Sequence, residues 1–98
     1  MYLKLDDLEI EEKNLLGIIK DSDGDLMFEG RALEEEGKKI WERLRKFEKD
    51  QIVEVEFETS HSFGRRNEIL RIKEIETPNP EMVAPVIYRF SGRLEMVR

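Results

Sequence analysis

The chain has 98 residues, of which 39% are hydrophobic and 41% are charged, and its formal net charge is −6. A length of this order supports one hydrophobic core but not two, so we expect a single domain over residues 1–98. The sequence contains no cysteine, which excludes disulfide bonds, thiolate metal sites and a thiol nucleophile.

The distribution of apolar and charged residues predicts a cytoplasmic protein. No apolar segment approaches the roughly 20 residues that a membrane-spanning helix needs, and the acidic start does not resemble a signal peptide. Glutamate, lysine and arginine are abundant whereas asparagine and glutamine are scarce, a bias typical of proteins from thermophiles. Residues 1–36 hold 12 acidic and 4 basic side chains, so negative charge is concentrated in the first third of the sequence.

The first part of the chain predicts three β-strands. Residues 2–10 are expected to form one short, interrupted strand. The nearly continuous apolar run at residues 15–19 is typical of a central strand that is covered on both faces. A turn signal at Gly24 precedes renewed apolar sequence from Leu26, which predicts a hairpin.

Three aspartates surround this turn at two-residue spacing: Asp21, Asp23 and Asp25. The spacing is similar to the first half of a calcium loop, in which oxygen ligands alternate along the chain. The glycine and the bidentate glutamate of a calcium loop are not at their required positions, whereas aspartates commonly bond the backbone of their own turn. We therefore interpret them as turn residues and predict no metal site.

One amphipathic helix is predicted over residues 31–49. Apolar or small residues recur there at steps of three and four, and charges fill the intervening positions. The recurring residues are Leu33, Gly37, Ile40, Trp41, Leu44 and Phe47. Within the helix, Gly37 is expected to cost about 1 kcal/mol relative to alanine.

A long two-stranded hairpin is predicted after the helix. Strict alternation begins at Val53, and residues 51–59 form the clearest strand in the sequence. A polar loop at 60–66 leads to a second strand over 67–76, in which Ile75 breaks the alternation and predicts a bulge or a twist to another face.

The remaining chain is too short for a second core and is expected to pack on the first. Three prolines make residues 77–85 an irregular connection. Residues 86–97 are predicted to form a terminal β-hairpin or one bent strand on the same core.

Three strands, one helix and a two-stranded hairpin is the element order of the OB-fold. Within residues 26–76, Phe28-Glu29-Gly30, the helix end Leu44-Arg45-Lys46-Phe47 and the strand start Asp50-Gln51-Ile52-Val53 resemble OB-fold proteins that bind single-stranded DNA. The chain departs from that family where Lys49-Asp50 replaces a glycine beside an acidic residue. The predicted fold class is mostly β (α+β), either a small OB-like barrel or a strongly curved antiparallel sheet with one helix.

The candidate binding residues form two aromatic and basic groups. Phe63, Arg65 and Arg66 lie at the tip of the long hairpin, and Tyr88, Arg89 and Arg93 lie in the terminal segment. Aromatic rings stack on bases and guanidinium groups bind phosphate, so the resemblance implies a nucleic-acid-binding role for both groups. The alternatives are a polar loop tip for the first group and core packing of the aromatic residues for the second.

One further pattern opposes strong nonspecific binding of nucleic acid. Arg71 and Lys73 are expected to face a row of glutamates on the preceding strand, namely Glu54, Glu56 and Glu58. Cations that are neutralised by neighbouring acids release few counterions, and they therefore contribute little affinity for a phosphate backbone.

The sequence predicts a binding protein rather than an enzyme. His61 is the only histidine, and its neighbours Ser60 and Ser62 have no acid at a spacing that identifies a catalytic triad. We expect no catalytic residues and no cofactor. The leading hypothesis is binding of single-stranded nucleic acid, and the alternative is a protein-interaction role through the acidic first third and an exposed sheet edge. Oligomeric state and the choice among DNA, RNA and protein are not determined.

Overall fold

The computed structural model describes residues 1–58 and 64–98. The elements in these residues are β1 (Tyr2–Leu5), β2 (Leu8–Ile10), a short 3₁₀ helix (Glu12–Asn14), β3 (Leu15–Lys20), β4 (Leu26–Leu33), α1 (Glu34–Leu44), β5 (Ile52–Glu58), β6 (Arg65–Glu76) and β7 (Ile87–Met96). The predicted fold class is confirmed, because the chain is mostly β with one helix.

All seven strands belong to one antiparallel sheet in the order β2-β1-β5-β6-β7-β4-β3. This order leaves β2 and β3 as edge strands, so the sheet is not closed into a barrel. The prediction that residues 15–19 form a central strand is wrong. Its apolar run buries Leu15 and Ile18 on one face but leaves Leu16 and Ile19 exposed on the other.

The open sheet nevertheless curls strongly. Lys20 on β3 forms an ion pair with Glu68 on β6, although β4 and β7 separate these strands in the sheet order. The Lys20 ammonium also lies 5.6 Å from the ring centroid of Phe57 on β5. Strands this far apart in a flat sheet would be out of reach of one side chain, since neighbouring strands are spaced by about 4.8 Å.

The N-terminal stretch forms two strands rather than the single strand that was predicted. β1 and β2 pair directly, with Leu3 opposite Ile10 and Leu5 opposite Leu8. Asp6 adopts a positive φ of 50°, a conformation that aspartate tolerates better than most residues. The charges that interrupt the apolar pattern at Asp6 and Asp7 therefore mark a turn.

The helix is shorter than predicted at both ends. Residues 31–33, the start of the predicted range, belong to β4, where Arg31, Ala32 and Leu33 pair with β7. Long-range strand pairing thus overrides the helical periodicity at these positions. The helix ends at Leu44, and its buried residues Gly37, Ile40 and Leu44 pack towards the sheet.

The long hairpin and its bulge are confirmed. β5 and β6 are antiparallel neighbours, with Val53 opposite Leu70 and Phe57 opposite Arg66. The ladder between β6 and β7 shifts register between Ile72 and Glu74, which accounts for the break of alternation at Ile75.

The C-terminal segment is one strand, so the predicted terminal hairpin is wrong and the alternative of a single strand is correct. β7 lies inside the sheet, between β6 and β4, and is not an edge. Every strand and the helix contribute to one hydrophobic core. Its most deeply buried members are Leu3, Leu5, Ile10, Leu26, Leu44, Val53, Val55, Phe57, Leu70, Ile72 and Leu94.

Candidate interaction surface

The edge strand β3 pairs on one side only in residues 1–58 and 64–98, so its other side carries backbone groups without a strand partner there. At its end, the N–H of Asp21 donates to the carbonyl of Asp25 at 3.0 Å, which fixes the hydrogen-bonded pairs of the β3–β4 ladder. Because these pairs alternate along an antiparallel ladder, Ile19 and Gly17 direct their backbone groups to β4. Ile18 and Lys20 therefore direct their N–H and C=O groups to the open edge.

The side chains along this edge are apolar on the outer face of the sheet. Leu16 is 51% exposed, Ile19 is 65% exposed and the neighbouring Met27 on β4 is 48% exposed. Edge strands are usually blunted by charge, proline, a bulge or short length. In β3 a register shift between Leu15 and Gly17 disrupts the start, but Gly17–Lys20 continues as a regular ladder.

The opposite edge is protected far better. β2 has three residues, and two of them, Leu8 and Ile10, turn into the core. Its outward residue is Glu9, which accepts a hydrogen bond from the hydroxyl of Tyr2 at 3.2 Å. A strand this short offers little length for pairing, so the accessible edge of the described sheet is β3.

A shallow groove of about 470 Å³ runs across the outer face from β3 to β6. Apolar side chains line the β3 end, with Ile19 directly opposite Met27. Charged side chains line much of the remainder, namely Glu29, Glu74, Glu76 and Arg93. The groove is therefore apolar at the open edge and charged beyond it, with three carboxylates and one guanidinium.

One of these carboxyl groups is perturbed by its neighbour. The pKa of Glu74 is raised, first by its hydrogen bond with Glu76 and then by the negative charge of that residue, whereas the charge of Arg93 lowers it. A hydrogen bond between two carboxyl groups requires a proton on one of them. Glu74 therefore holds its proton to higher pH than an isolated carboxyl group does.

The lysines before β3 and at its end are already engaged within the chain. Lys20 turns away from the outer face to pair with Glu68. Lys13 lies 3.2 Å from a carboxylate oxygen of Glu36 and 3.6 Å from one of Glu11. Neither lysine therefore adds an unpaired positive charge to the surface along β3.

Arg65, the first of the predicted nucleic-acid-binding arginines, is held by its own chain. Its guanidinium lies 3.8 Å from the ring centroid of Tyr2 and 3.8 Å from a carboxylate oxygen of Glu56. β1 pairs with β5 and so delivers Tyr2 to this position. A ligand phosphate would have to compete with both contacts.

The other residues of the two predicted groups have different surroundings. Phe63 lies outside the described residues, and Arg66 is exposed at the start of β6. Tyr88 is only 8% exposed and packs edge-on against Trp41 with ring centroids 5.6 Å apart, which confirms the alternative of core packing. Its ring is unavailable for stacking on a base.

Arg89 and Arg93 lie on the outer face of β7, where a third arginine joins them. Arg31 on β4 stands directly opposite Arg89. No carboxylate in residues 1–58 or 64–98 forms an ion pair with any of these three arginines. Like charges placed directly opposite each other on neighbouring strands are unfavourable without a counter-ion.

The structure does not bring the two predicted groups together. Glu74 lies opposite Arg93 and is nine residues from Arg65 along β6. At about 3.3 Å per residue the separation is about 30 Å. The hairpin tip and the β7 arginines are therefore separate surfaces.

The predicted partners of Arg71 and Lys73 are also wrong. The glutamate row of β5 faces Ile69, Asn67 and Arg65 instead. Arg71 donates to Glu95 on β7 at 3.2 Å, and Lys73 lies 3.9 Å from the same carboxylate group. Both cations are neutralised as expected, but by the strand on the other side of β6.

The turn after β3 behaves as predicted. A carboxylate oxygen of Asp21 accepts the N–H groups of Asp23 and Asp25 at 2.9 and 3.0 Å, and Gly24 has a φ of 88°. In the described part of the chain, no cluster of three or more potential ligand side chains is arranged to hold a metal ion. His61, Ser60 and Ser62 lie outside it. The helix of the described chain is too short and polar to span a membrane.

Sequence reasoning missed both the open edge and Arg31. The apolar run of β3 looks the same for a strand buried on two faces as for one that exposes an apolar face. Arg31 was assigned to the helix. Its pairing with Arg89 links residues 58 positions apart, and no local pattern indicates such a contact.

Comparisons with known proteins return no relative. No family model, no curated protein and no solved structure matches the chain. The functional argument therefore depends on the surface itself.

Proposed function

We propose that this chain is a protein-interaction module that binds an extended segment of a partner by strand addition to β3. In this mode the partner supplies a further antiparallel or parallel strand, and main-chain hydrogen bonds provide much of the affinity. The proposal retains the prediction that the chain is a binding protein and not an enzyme. It identifies the exposed sheet edge with β3, which lies within the acidic first third.

One observation carries the proposal: open backbone groups and exposed apolar side chains coincide on β3. Ile18 and Lys20 direct their N–H and C=O groups outward, while Ile19 exposes 65% of its surface beside Met27. An exposed edge of this kind is a ready template for another strand. The neighbouring groove gives side chains of the added strand a place to lie.

The test uses a blocked peptide of about eight residues in which valine alternates with threonine. Residue-specific hydrogen exchange is followed as the peptide is added. Strand addition slows exchange at Ile18 and Lys20, because their N–H groups become hydrogen-bonded only in the complex. Exchange at Gly17 and Ile19 changes less, since their N–H groups already bond to β4.

Two matched controls separate pairing from nonspecific adhesion. A peptide with proline at its centre cannot complete the ladder and should give little protection. Ile19→Lys should weaken binding, whereas Ile69→Lys on the interior strand β6, where the isoleucine is 52% exposed, should not. Equal protection by the proline peptide, or equal effects of the two substitutions, would contradict the proposal.

A second candidate function is binding of single-stranded nucleic acid, which one observation favours. Arg31, Arg89 and Arg93 lie on one face of β4 and β7, and no acid in the described ranges forms an ion pair with them. Unpaired arginines of this kind bind phosphate. In this version the contact surface is β7 and β4 rather than the hairpin tip.

Fluorescence anisotropy with a labelled oligonucleotide of about 15 nucleotides tests this candidate. Binding should weaken steeply between about 50 and about 200 mM salt and should be lost in the double variant Arg31→Gln, Arg89→Gln. Arg65→Gln is the matched control, because that arginine is committed to Tyr2 and Glu56. Absence of binding at low salt, or an equal loss in the control, would exclude this surface as a nucleic-acid site.

A further inference from the structure

The charges around β3 constrain which segment can pair with it. Acidic residues lie before the strand, at Glu11 and Glu12, and after it, at Asp21, Asp23 and Asp25. The lysines that interrupt this sequence are engaged with carboxylates of their own chain, as described above. Glu11 and Glu12 are also engaged, with Lys13 and with the N-terminal ammonium, so the negative surroundings of the open edge lie at the turn after β3.

The outer face of the edge also has an open position beside a carboxylate. Gly17 stands directly opposite Glu29, and no atom lies within 4 Å of the place where a side chain on Gly17 would begin. A residue of an added strand next to Gly17 would have its Cβ about 10 Å from that of Glu29, two strand spacings away. An extended lysine or arginine and the glutamate can span this gap together.

The next position on the same face has a different character. Two residues along β3, Ile19 lies opposite Met27, and both side chains are exposed. Residues two apart on a strand share a face. An added strand therefore meets a carboxylate at one position and an apolar pair at the next position on that face.

A second copy of the chain is a poor occupant of this edge. An antiparallel pairing of β3 with itself would bring Glu11 and Glu12 of one copy towards Asp21 and Asp23 of the other. A parallel pairing would place each acidic group beside the same group of the other copy. The parallel arrangement joins like charges, which opposes association. In the antiparallel arrangement Glu11 and Glu12 already pair with cations of their own chain, so the second copy gives the acidic turn no new counter-ion.

Resting on the proposed function, we infer that the natural partner is a basic and apolar segment. Its side chains over the outer face alternate between a lysine or arginine above Gly17 and an apolar residue beside Ile19. Charge complementarity with Glu29 and with the acidic turn after β3 selects this segment over neutral or acidic ones.

The experiment compares three blocked peptides of equal length. Valine alternates with threonine in the first, lysine replaces two threonines in the second, and glutamate replaces the same two in the third. We expect the lysine peptide to bind most tightly and the glutamate peptide most weakly. Glu29→Gln should reduce the advantage of the lysine peptide by about two- to fivefold. Glu35→Gln, which removes an equal charge from the exposed face of α1, should leave that advantage unchanged.

The outcomes separate this inference from the proposed function. Equal protection of Ile18 and Lys20 by all three peptides would overturn the basic partner and leave strand addition standing. Protection by none of them would overturn both. Sedimentation that reveals a dimer abolished by Ile19→Lys would overturn the inference in favour of a second copy.

Discussion

Lys20 on the edge strand β3 reaches across the inside of the curled sheet to form an ion pair with Glu68 on β6. The side chains of both residues are largely sheltered, with 21% and 22% of their surfaces exposed. The other carboxylate oxygen of Glu68 is buried without a hydrogen-bond partner in the described structure. The pair therefore holds the curvature and also removes the one lysine of β3 from the open edge.

Breaking this pair from one side should be costly. In Lys20→Met the Glu68 carboxylate remains sheltered without its cation, and we expect the free energy of unfolding to fall by about 1–3 kcal/mol. Urea denaturation measures the change. The double variant Lys20→Met, Glu68→Leu should recover most of the loss, because it removes the orphaned charge. Additive effects of the two single substitutions would contradict a direct interaction.

Gly37 provides a second test, because the structure and helix propensity predict opposite effects of Gly37→Ala on stability. On propensity alone, Gly37→Ala should stabilise the helix by about 1 kcal/mol. In the structure a Cβ at this position would overlap the backbone carbonyl of Ala32 and approach the Tyr88 ring to 2.9 Å. We expect Gly37→Ala to destabilise the protein by about 1–3 kcal/mol. A higher melting temperature in the variant would show that α1 does not pack this closely on β4 and β7.

The stability of the fold at acidic pH should depend on two glutamates whose pKa values are shifted in opposite directions. The pKa of Glu36 is lowered, first by the hydrogen bond that Asn14 donates at 3.1 Å and then by Lys13. A lowered carboxyl pKa contributes stability that is present above the ordinary value of 4.5 and is lost as pH falls through the folded pKa. Glu36→Gln should therefore flatten the decline of stability at acidic pH.

Glu74 should act in the reverse sense. Its pKa is raised by the hydrogen bond and charge of Glu76, so its contribution is present below 4.5 and is lost as pH rises through the folded pKa. Glu74→Gln should remove the decrease in stability that accompanies ionisation of Glu74. Compared with the unsubstituted protein, the variant should therefore be more stable near neutral pH than at acidic pH. Urea midpoints measured across the acidic range test both variants, and parallel changes in the two would contradict the assigned signs.

The sequence predicts those parts of the fold in which the paired strands are close together along the chain. Strict alternation from Val53 predicts the β5–β6 hairpin because its two strands are close in sequence, and Ile75 marks the bulge. The pairing of β7 with β4 joins residues more than 50 positions apart, and alternation within β7 does not reveal its neighbours. The same limit explains why residues 31–33 were assigned to the helix.

Two of the predicted binding residues are engaged within the chain for a related reason. Arg65 belongs to a loop tip whose aromatic and basic residues are typical of phosphate binding. The pairing of β1 with β5, however, places the ring of Tyr2 against its guanidinium group. Tyr88 is taken up by the contact with Trp41. Which aromatic or basic side chain stays available depends on contacts between distant strands. The acidity of the first third can be read directly from the sequence, and it includes the turn at the end of the open edge.

The exposed apolar residues of β3 should contribute to binding without contributing much to stability. Ile19→Lys is expected to change the free energy of unfolding by no more than about 0.5 kcal/mol, because the side chain is 65% exposed. Ile18→Ala, in contrast, removes a core contact and should cost about 2–5 kcal/mol. Thermal and urea denaturation of the two variants distinguish the outer from the inner face of β3, and a large loss in Ile19→Lys would place that residue in the core.

Hydrogen exchange of β3 in the free protein tests the open edge most directly, because it needs no partner. The account predicts an alternating pattern, in which the amides of Gly17 and Ile19 exchange slowly while those of Ile18 and Lys20 exchange quickly. Slow exchange at all four positions would mean that the edge is already paired or covered, and this would contradict the proposal that β3 receives a partner strand.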